Sequence, residues 1–165
     1  MSDEVQYDVD DPVATITLQR PATLNALTHR MLREFREAVD AAARDPRVVG
    51  IVITGTGRGF SAGLDADVLA EVTSRDAAPE NTAPASTELP GIFSYLLEVP
   101  KPVIAAVNGV AAGGGVILAL MSDLRFAAST ASFTTVFLKR GLIAEHGSTW
   151  ILPRLTGISR ALDLL

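Results

Sequence analysis

Gly59-Phe-Ser-Ala-Gly63 places Ser61 in the G-x-S-x-G pattern of a hydrolase nucleophile, and Asp123 and His146 follow in the Ser…Asp…His order. That chemistry needs its serine on a sharp strand-to-helix turn. Here six residues, Gly55 to Phe60, separate the expected strand end from Ser61. Gly57, Gly59 and Ala62 also match G-x-G-x-x-A, a dinucleotide fingerprint, but the nearest suitable acids, Asp76 and Glu80, fall in a Pro/Ala-rich stretch instead of at a second strand's end. The glycines suit a third chemistry. VVGIVIT followed by GTGRGFSAGLD, and PVIAAVN followed by GVAAGGGVILAL, share one plan of buried strand, Gly-rich loop and helix. Each loop can present free backbone N–H groups near a helix start, where partial positive charge collects. Two such donors converging on one carbonyl oxygen form an oxyanion hole. Loop glycines also serve tight turns, so on the residues alone both readings stand.

The elements that must position these loops read as α/β. Gln6–Val9 and Val13–Leu18 pair antiparallel across Asp10-Asp11-Pro12, with Ala14, Ile16 and Leu18 on one face. Thr28 caps a helix whose Met31, Leu32, Phe35, Ala38, Val39 and Ala42 recur at helical spacing. Val48–Thr54 and Val103–Val107 are short apolar runs suited to strands covered on both faces. Helices are expected near Asp65–Thr73, from Pro90 to Glu98, over Gly114–Ser122 and over Ser148–Leu152 before Pro153. Leu124–Ala128 and Ala131–Thr135 read as short strands, and Ser74–Thr87 as a mobile loop. Strands alternating with helices indicate a layered α/β domain. Ser159–Leu165 opens a helix with Ala161, Leu162, Leu164 and Leu165 apolar and no stop signal, so the chain is expected to be truncated at its C-terminus.

Composition narrows the partners. The 165 residues suit one domain, and a net charge of -5 without a Lys/Arg cluster argues against nucleic acid and anionic membrane. Pro102 to Ser122 is uncharged, but Asn108 and its glycines oppose a continuous lipid-facing helix. Cysteine is absent, which removes disulfides and thiolate catalysis and suits a cytoplasmic protein. His29 and His146 are the only histidines and lie far apart in sequence, so no metal site is expected.

LQRPATLNAL (Leu18–Leu27), GRGFSAGLD (Gly57–Asp65), KPVIAAVNGVAAGGG (Lys101–Gly115) and GLIAEHGSTWILPRLTG (Gly141–Gly157) occur in this order across nearly the whole chain. Together they resemble the crotonase superfamily, the enoyl-CoA hydratase/isomerase family. The resemblance implies a ββα spiral, here a single core domain over residues 1–165 lacking the C-terminal helical region. It implies a coenzyme A thioester as ligand, with coenzyme A part of the substrate and no separate cofactor. It implies a homo-oligomer, trimer or hexamer, for the full-length protein. The oxyanion donors implied by motif position are the amides of Leu64 and Gly114. Ala62, Asp65, Ala66 and Asp67 become candidate contacts to the adenine end, and Arg58 to the phosphates; Ala22 stands where another basic residue is common.

An enolising thioester accumulates negative charge on oxygen, which fixed N–H donors bind better than they bind the ground state. The two glutamates of the family's hydratases are replaced by Ile117 and Phe137. Glu145 falls where some family isomerases place a single carboxylate, and Leu142, Ile143 and Ala144 can supply an apolar setting that raises a carboxyl pKa toward a base's working range. Phe137 and Trp150 read as core or acyl-pocket wall. The expected activity is enoyl-CoA isomerisation through Glu145. A hydratase, a ring-cleaving hydrolase of the same superfamily and a non-catalytic acyl-CoA binding protein are the alternatives.

Overall fold

The computed structural model describes residues 3–73, 91–144 and 146–165. The expected loop Ser74–Thr87, the helix entry at Pro90 and Glu145 lie outside the described residues. β1 (Val5–Asp10) and β2 (Val13–Leu18) form the expected antiparallel pair. β2 continues in parallel into β3 (Gly50–Gly55), β5 (Val103–Val107) and β7 (Leu124–Ala127), giving a five-stranded sheet in the order β1-β2-β3-β5-β7. A second, three-stranded parallel sheet runs β4 (Gly59–Ser61), β6 (Val110–Ala112), β8 (Ser132–Thr134). Helices α2 (Ala66–Thr73) and α3 (Gly114–Met121) follow β4 and β6. After the β1–β2–α1 opening, which gives both strands to the first sheet, each further turn adds one strand to each sheet before a helix follows.

β4 and β6 correct the expected plan, in which each first strand led through a loop to its helix. Three residues opening on or beside glycine carry no visible alternation, and only pairing with one another makes them strands. Two other expectations shift. The segment before β5 forms a 3-10 turn at Ser94–Glu98. α4 (Ser148–Thr156) runs through Pro153 instead of stopping before it, and α5 (Ile158–Leu164) follows Gly157. Pro153 forfeits one intrahelical donor; Gly157 N–H, bonded to Pro153 carbonyl at 2.9 Å, closes the end of the helix. Trp150 is neither core nor wall: it is half exposed, with the Arg154 guanidinium 4.3 Å above its ring.

α1 (His29–Arg44) begins where Thr28 accepts the Met31 N–H at 2.9 Å. It buries Met31, Phe35, Ala38, Val39 and Ala42, and Phe35 meets Phe93 edge-on with centroids 5.6 Å apart. Burying one such phenylalanine contributes roughly 2–3 kcal/mol. α3 buries all its residues, as an uncharged helix apolar on every side must.

The segment between β2 and α1 ties the first Gly-rich loop in place. Asn25 is fully buried; its side-chain amide donates to the carbonyls of Thr56, Gly59 and Phe60, and its Oδ1 accepts the Arg20 N–H at 2.8 Å. Arg20 Nη1 donates to Ala26 carbonyl at 2.6 Å and to Asp65 Oδ2 at 2.8 Å. The other Asp65 oxygen accepts Asp67 N–H at the start of α2. Arg20, with that capping bond, holds the Asp65 carboxyl below the usual carboxylate range.

Two predictions follow from this packing. A Cβ on Gly115 would stand 2.2 Å from Ser61 carbonyl oxygen, whereas one on Gly50 would meet only Pro102 carbonyl oxygen at 3.7 Å. Gly115→Ala should lower unfolding free energy in urea by about 1–3 kcal/mol or more, and Gly50→Ala should stay within about 0.5 kcal/mol of wild type. Arg20→Met should cost about 1–2 kcal/mol at neutral pH, between an exposed pair and a hydrogen bond to a buried charge. Because the folded-state pKa of Asp65 is depressed, its contribution is present above about pH 4. The stability gap between wild type and Arg20→Met should shrink as pH falls below that value, through the depressed pKa; a gap that is flat with pH would refute the assignment.

Candidate active site

The two Gly-rich loops meet backbone to backbone. A Cβ on Gly63 would lie 2.7 Å from Ala112 carbonyl oxygen and 3.0 Å from Gly114 nitrogen, and φ at Gly63 is +89°, so glycine answers both the space and the conformation. Leu27 brackets the first loop: its N–H donates to Gly63 carbonyl at 2.8 Å, and its carbonyl accepts Asp65 N–H at 3.0 Å. In an extended segment neighbouring residues point their N–H groups to opposite sides. Leu64 therefore turns its N–H away from Leu27. Gly114 opens α3, where the first N–H groups have no intrahelical partner and the helix end carries partial positive charge. Among the described residues, neither the Leu64 nor the Gly114 N–H finds an acceptor.

Both residues line one cavity of about 240 Å³, together with Ala62, Ala66, Leu69 and Phe137. Val136 and His146 also line it, at φ +54° and +53°, a left-handed conformation uncommon for side-chain-bearing residues and often found at functional sites. The cavity thus gathers Ala62, Leu64, Ala66 and Gly114 from the sequence candidates. Arg58 is exposed on the turn between β3 and β4, Asp67 is exposed on α2, and neither lines it. Asp65 is turned to Arg20 and the α2 start. Glu145 lies outside the described residues, between the cavity-lining His146 and half-buried Ala144. Ile117 is wholly buried in α3, and Phe137 is 6% exposed on the cavity wall.

The serine-hydrolase geometry is not assembled. Ser61 is 0% exposed, donates to Asn25 carbonyl at 2.9 Å and accepts Gly63 N–H at 3.2 Å. Asp123 accepts Val103 N–H at 2.8 Å, at the end of β5 away from the Gly-rich loop and roughly 15 Å of strand from it. Sequence reasoning missed the Arg20–Asp65 pair, Asn25 and the cavity residue Arg140. The first two depend on contacts between segments remote in sequence. Arg140 had one local signal, its position three residues after Phe137. Among the described residues no group of three His, Asp or Glu side chains lies close enough to hold a metal, and no helix is long and apolar enough to cross a membrane.

This arrangement has close counterparts. A family described as enoyl-CoA hydratase/isomerase matches residues 8–165. The chain is 40% identical over 169 residues to a 1,2-epoxyphenylacetyl-CoA isomerase of Escherichia coli, covering 99% of this chain and 62% of that protein. It is 37% identical over 161 residues to a probable enoyl-CoA hydratase of Rhodobacter capsulatus, covering 97% and 60% respectively. A crystal structure of an enoyl-CoA hydratase subunit from Geobacillus kaustophilus superposes with a TM-score of 0.85 at 37% identity, over 99% of this chain and 62% of that one. The chain spans about three fifths of the length of these relatives. With its ββα spiral and both motif loops in place, it belongs to the enoyl-CoA hydratase/isomerase family of the crotonase superfamily.

Proposed function

We propose that this protein processes acyl-CoA thioesters by holding an enolate oxygen between the Leu64 and Gly114 amides, with Glu145 moving the proton of an enoyl-CoA isomerisation. The observation that carries the reading is that two residues whose backbone N–H groups have no acceptor among the described residues line one cavity. An unpaired buried donor costs free energy unless a ligand satisfies it. A thioester oxygen is the acceptor that the family implies, and it gains most from the pair once it becomes an enolate. In the reaction Glu145 takes the proton from C2 of a 3-enoyl thioester, the electron pair spreads into a dienolate, and the same carboxyl returns the proton at C4. The double bond then lies between C2 and C3, with no net gain or loss of atoms. Leu142 and His146, on either side of Glu145 in sequence, line the cavity.

The relatives' names favour different reactions, an isomerase for one and a probable hydratase for another. The residues favour the first. A hydratase of the two-glutamate kind needs acids where this chain has Ile117, sealed in the core, and Phe137, packed in the wall. The homo-oligomer implied by the resemblance finds support in α5, which exposes Ile158, Leu162 and Leu164.

Two variants test the assignment. Gly114 is the first residue of α3, where proline fits a helix, and a Cβ there meets side-chain ends of Leu27 and Ile92 at 3.2 and 3.5 Å. Gly114→Pro, checked for folding by circular dichroism, should lose about 10²–10³ in turnover of 3-enoyl-CoA. Unchanged turnover in a folded variant would remove that amide from the mechanism. Glu145→Gln should lose roughly 10²–10⁴ in turnover while thioester affinity changes little. Folded Ser61→Ala should retain turnover. If instead Ser61→Ala were inactive and Glu145→Gln active, the hydrolase reading would replace this one; tight acyl-CoA binding by wild type without turnover of any enoyl thioester would leave a binding protein.

A further inference from the structure

β4 does not run evenly along β6. Gly59 pairs with Val110 and Ser61 with Ala111, so two steps on β4 meet one on β6, and Phe60 is the extra residue of a bulge. Counted from Ser61 and Ala111, Leu64 and Gly114 both stand three residues on. Counted from Gly59 and Val110, ahead of the bulge, Gly63 instead of Leu64 is in step with Gly114. The Gly63 N–H is already bonded to Ser61 Oγ at 3.2 Å. The bulge therefore decides which amide of the first loop is presented beside Gly114.

A bulge takes backbone groups out of the regular ladder, and its buried carbonyls need other donors. Two asparagine amides supply them. Asn25 Nδ2 donates to the Gly59 and Phe60 carbonyls at 2.8 and 3.2 Å. Asn108 Nδ2 donates to the same Gly59 carbonyl at 3.2 Å and to that of Gly57 at 2.9 Å, while its Oδ1 accepts the Gly55 N–H at 3.1 Å. Asn108 belongs to the two-residue link between β5 and β6. The link that starts β6 thus grips the turn that starts β4, and fixes where the two strands begin relative to one another. Asn25 is sealed in the core, whereas Asn108 is half-buried. Water can reach the groups that Asn108 holds, so hydrogen bonding alone does not require an amide there. What water cannot supply is a fixed spacing between the two loops.

Resting on the proposed reading of the Leu64 and Gly114 amides as an oxyanion hole, we infer that Asn108 is a positioning residue for it: by locking the β3–β4 turn onto the β5–β6 link, it holds the bulge at Phe60 in register and keeps the Leu64 amide at the spacing from Gly114 that one enolate oxygen requires.

The test uses wild type, Asn108→Ala and Asn108→Asp, each checked for folding by circular dichroism. Asn108→Asp keeps the acceptor for Gly55 N–H but loses both donated bonds. For each protein, kcat and KM are measured with a 3-enoyl-CoA thioester, together with the affinity for free coenzyme A. Infrared difference spectroscopy reads the thioester carbonyl stretch of bound butanoyl-CoA, a saturated thioester that cannot isomerise. Two donors on the carbonyl oxygen lower that frequency, so in wild type it should fall below the value for free butanoyl-CoA. In Asn108→Ala the band should move back toward the free value and kcat should drop by about 10–10²-fold, as misplacement of a catalytic group does. KM and coenzyme A affinity should stay within about twofold, since uniform binding is untouched, and Asn108→Asp should lose at least as much kcat. A folded Asn108→Ala or Asn108→Asp with wild-type kcat and an unmoved carbonyl band overturns the inference and leaves the oxyanion reading standing. So does lowered stability with the band unmoved, or a loss shared equally by kcat and coenzyme A affinity, either of which makes Asn108 a residue of the fold alone. If Asn108→Ala does not fold, Asn108→Asp decides by the same readouts, and failure of both to fold overturns the inference as well. A wild-type carbonyl band equal to that of free butanoyl-CoA, or no binding of the thioester at all, overturns the oxyanion reading and this inference together.

Discussion

Everything at the cavity depends on one close approach, that of the loop after β3 to the loop after β5 with no side chain between them. A Cβ on Gly109 would stand 2.0 Å from Arg58 carbonyl oxygen, one on Gly115 would stand 2.2 Å from Ser61 carbonyl oxygen, and one on Gly63 would meet the backbone of Ala112 and Gly114. Spaced by any larger residue, β4 and β6 would not pair, and the Leu64 and Gly114 amides would not share a cavity. The glycines are therefore the means by which two parallel crossings are laid edge to edge.

That contact leaves two donors without an acceptor among the described residues, and the surroundings hold them in place. Leu27 takes the hydrogen-bonding groups on one side of the Gly63–Asp65 segment, so Leu64 has no alternative partner there. Asn25 spends its side-chain amide on three carbonyls of the same loop, and Arg20 fixes Asp65 one residue beyond Leu64. On the other side, α3 is buried along its whole length, so its first N–H groups cannot be relieved by shifting the helix. A donor pair held rigid in this way would lose little to reorganisation if charge developed in front of it.

The sequence disclosed this frame unevenly, for physical reasons. β1, β2, α1 and β5 were legible because apolar residues recur at the period of each element, and Thr28 announced a cap that the structure contains. The glycine runs marked the loops. β4 and β6 were hidden because three-residue strands have no period, and their pairing partner lies some fifty residues away in the chain. Asn25 read as one polar residue in a loop motif; nothing local shows that it is wholly buried and satisfied by carbonyls more than thirty residues on. The Arg20–Asp65 pair spans 45 residues and is invisible for the same reason. Trp150 was misplaced because an aromatic residue on a surface helix can be covered by its own neighbour Arg154 as well as by a core.

The division of labour between backbone and side chains explains how relatives of similar identity carry the names of different reactions. An oxyanion hole made of amides is set by glycine spacing and strand pairing, and so is insensitive to which acids stand nearby. Chemistry and selectivity then fall to a few side chains around it. In this chain the side chains beside the cavity include Val136, Phe137, Leu142 and His146, of which Val136 and His146 are left-handed. A carboxylate at Ile117 would be buried without an evident partner, at a desolvation cost that the apolar helix cannot return. A change of residue in the segment beyond β8 meets no such penalty, because its Lys139, Arg140 and Ile143 already reach solvent. A segment that costs the fold little to alter therefore borders the two amides.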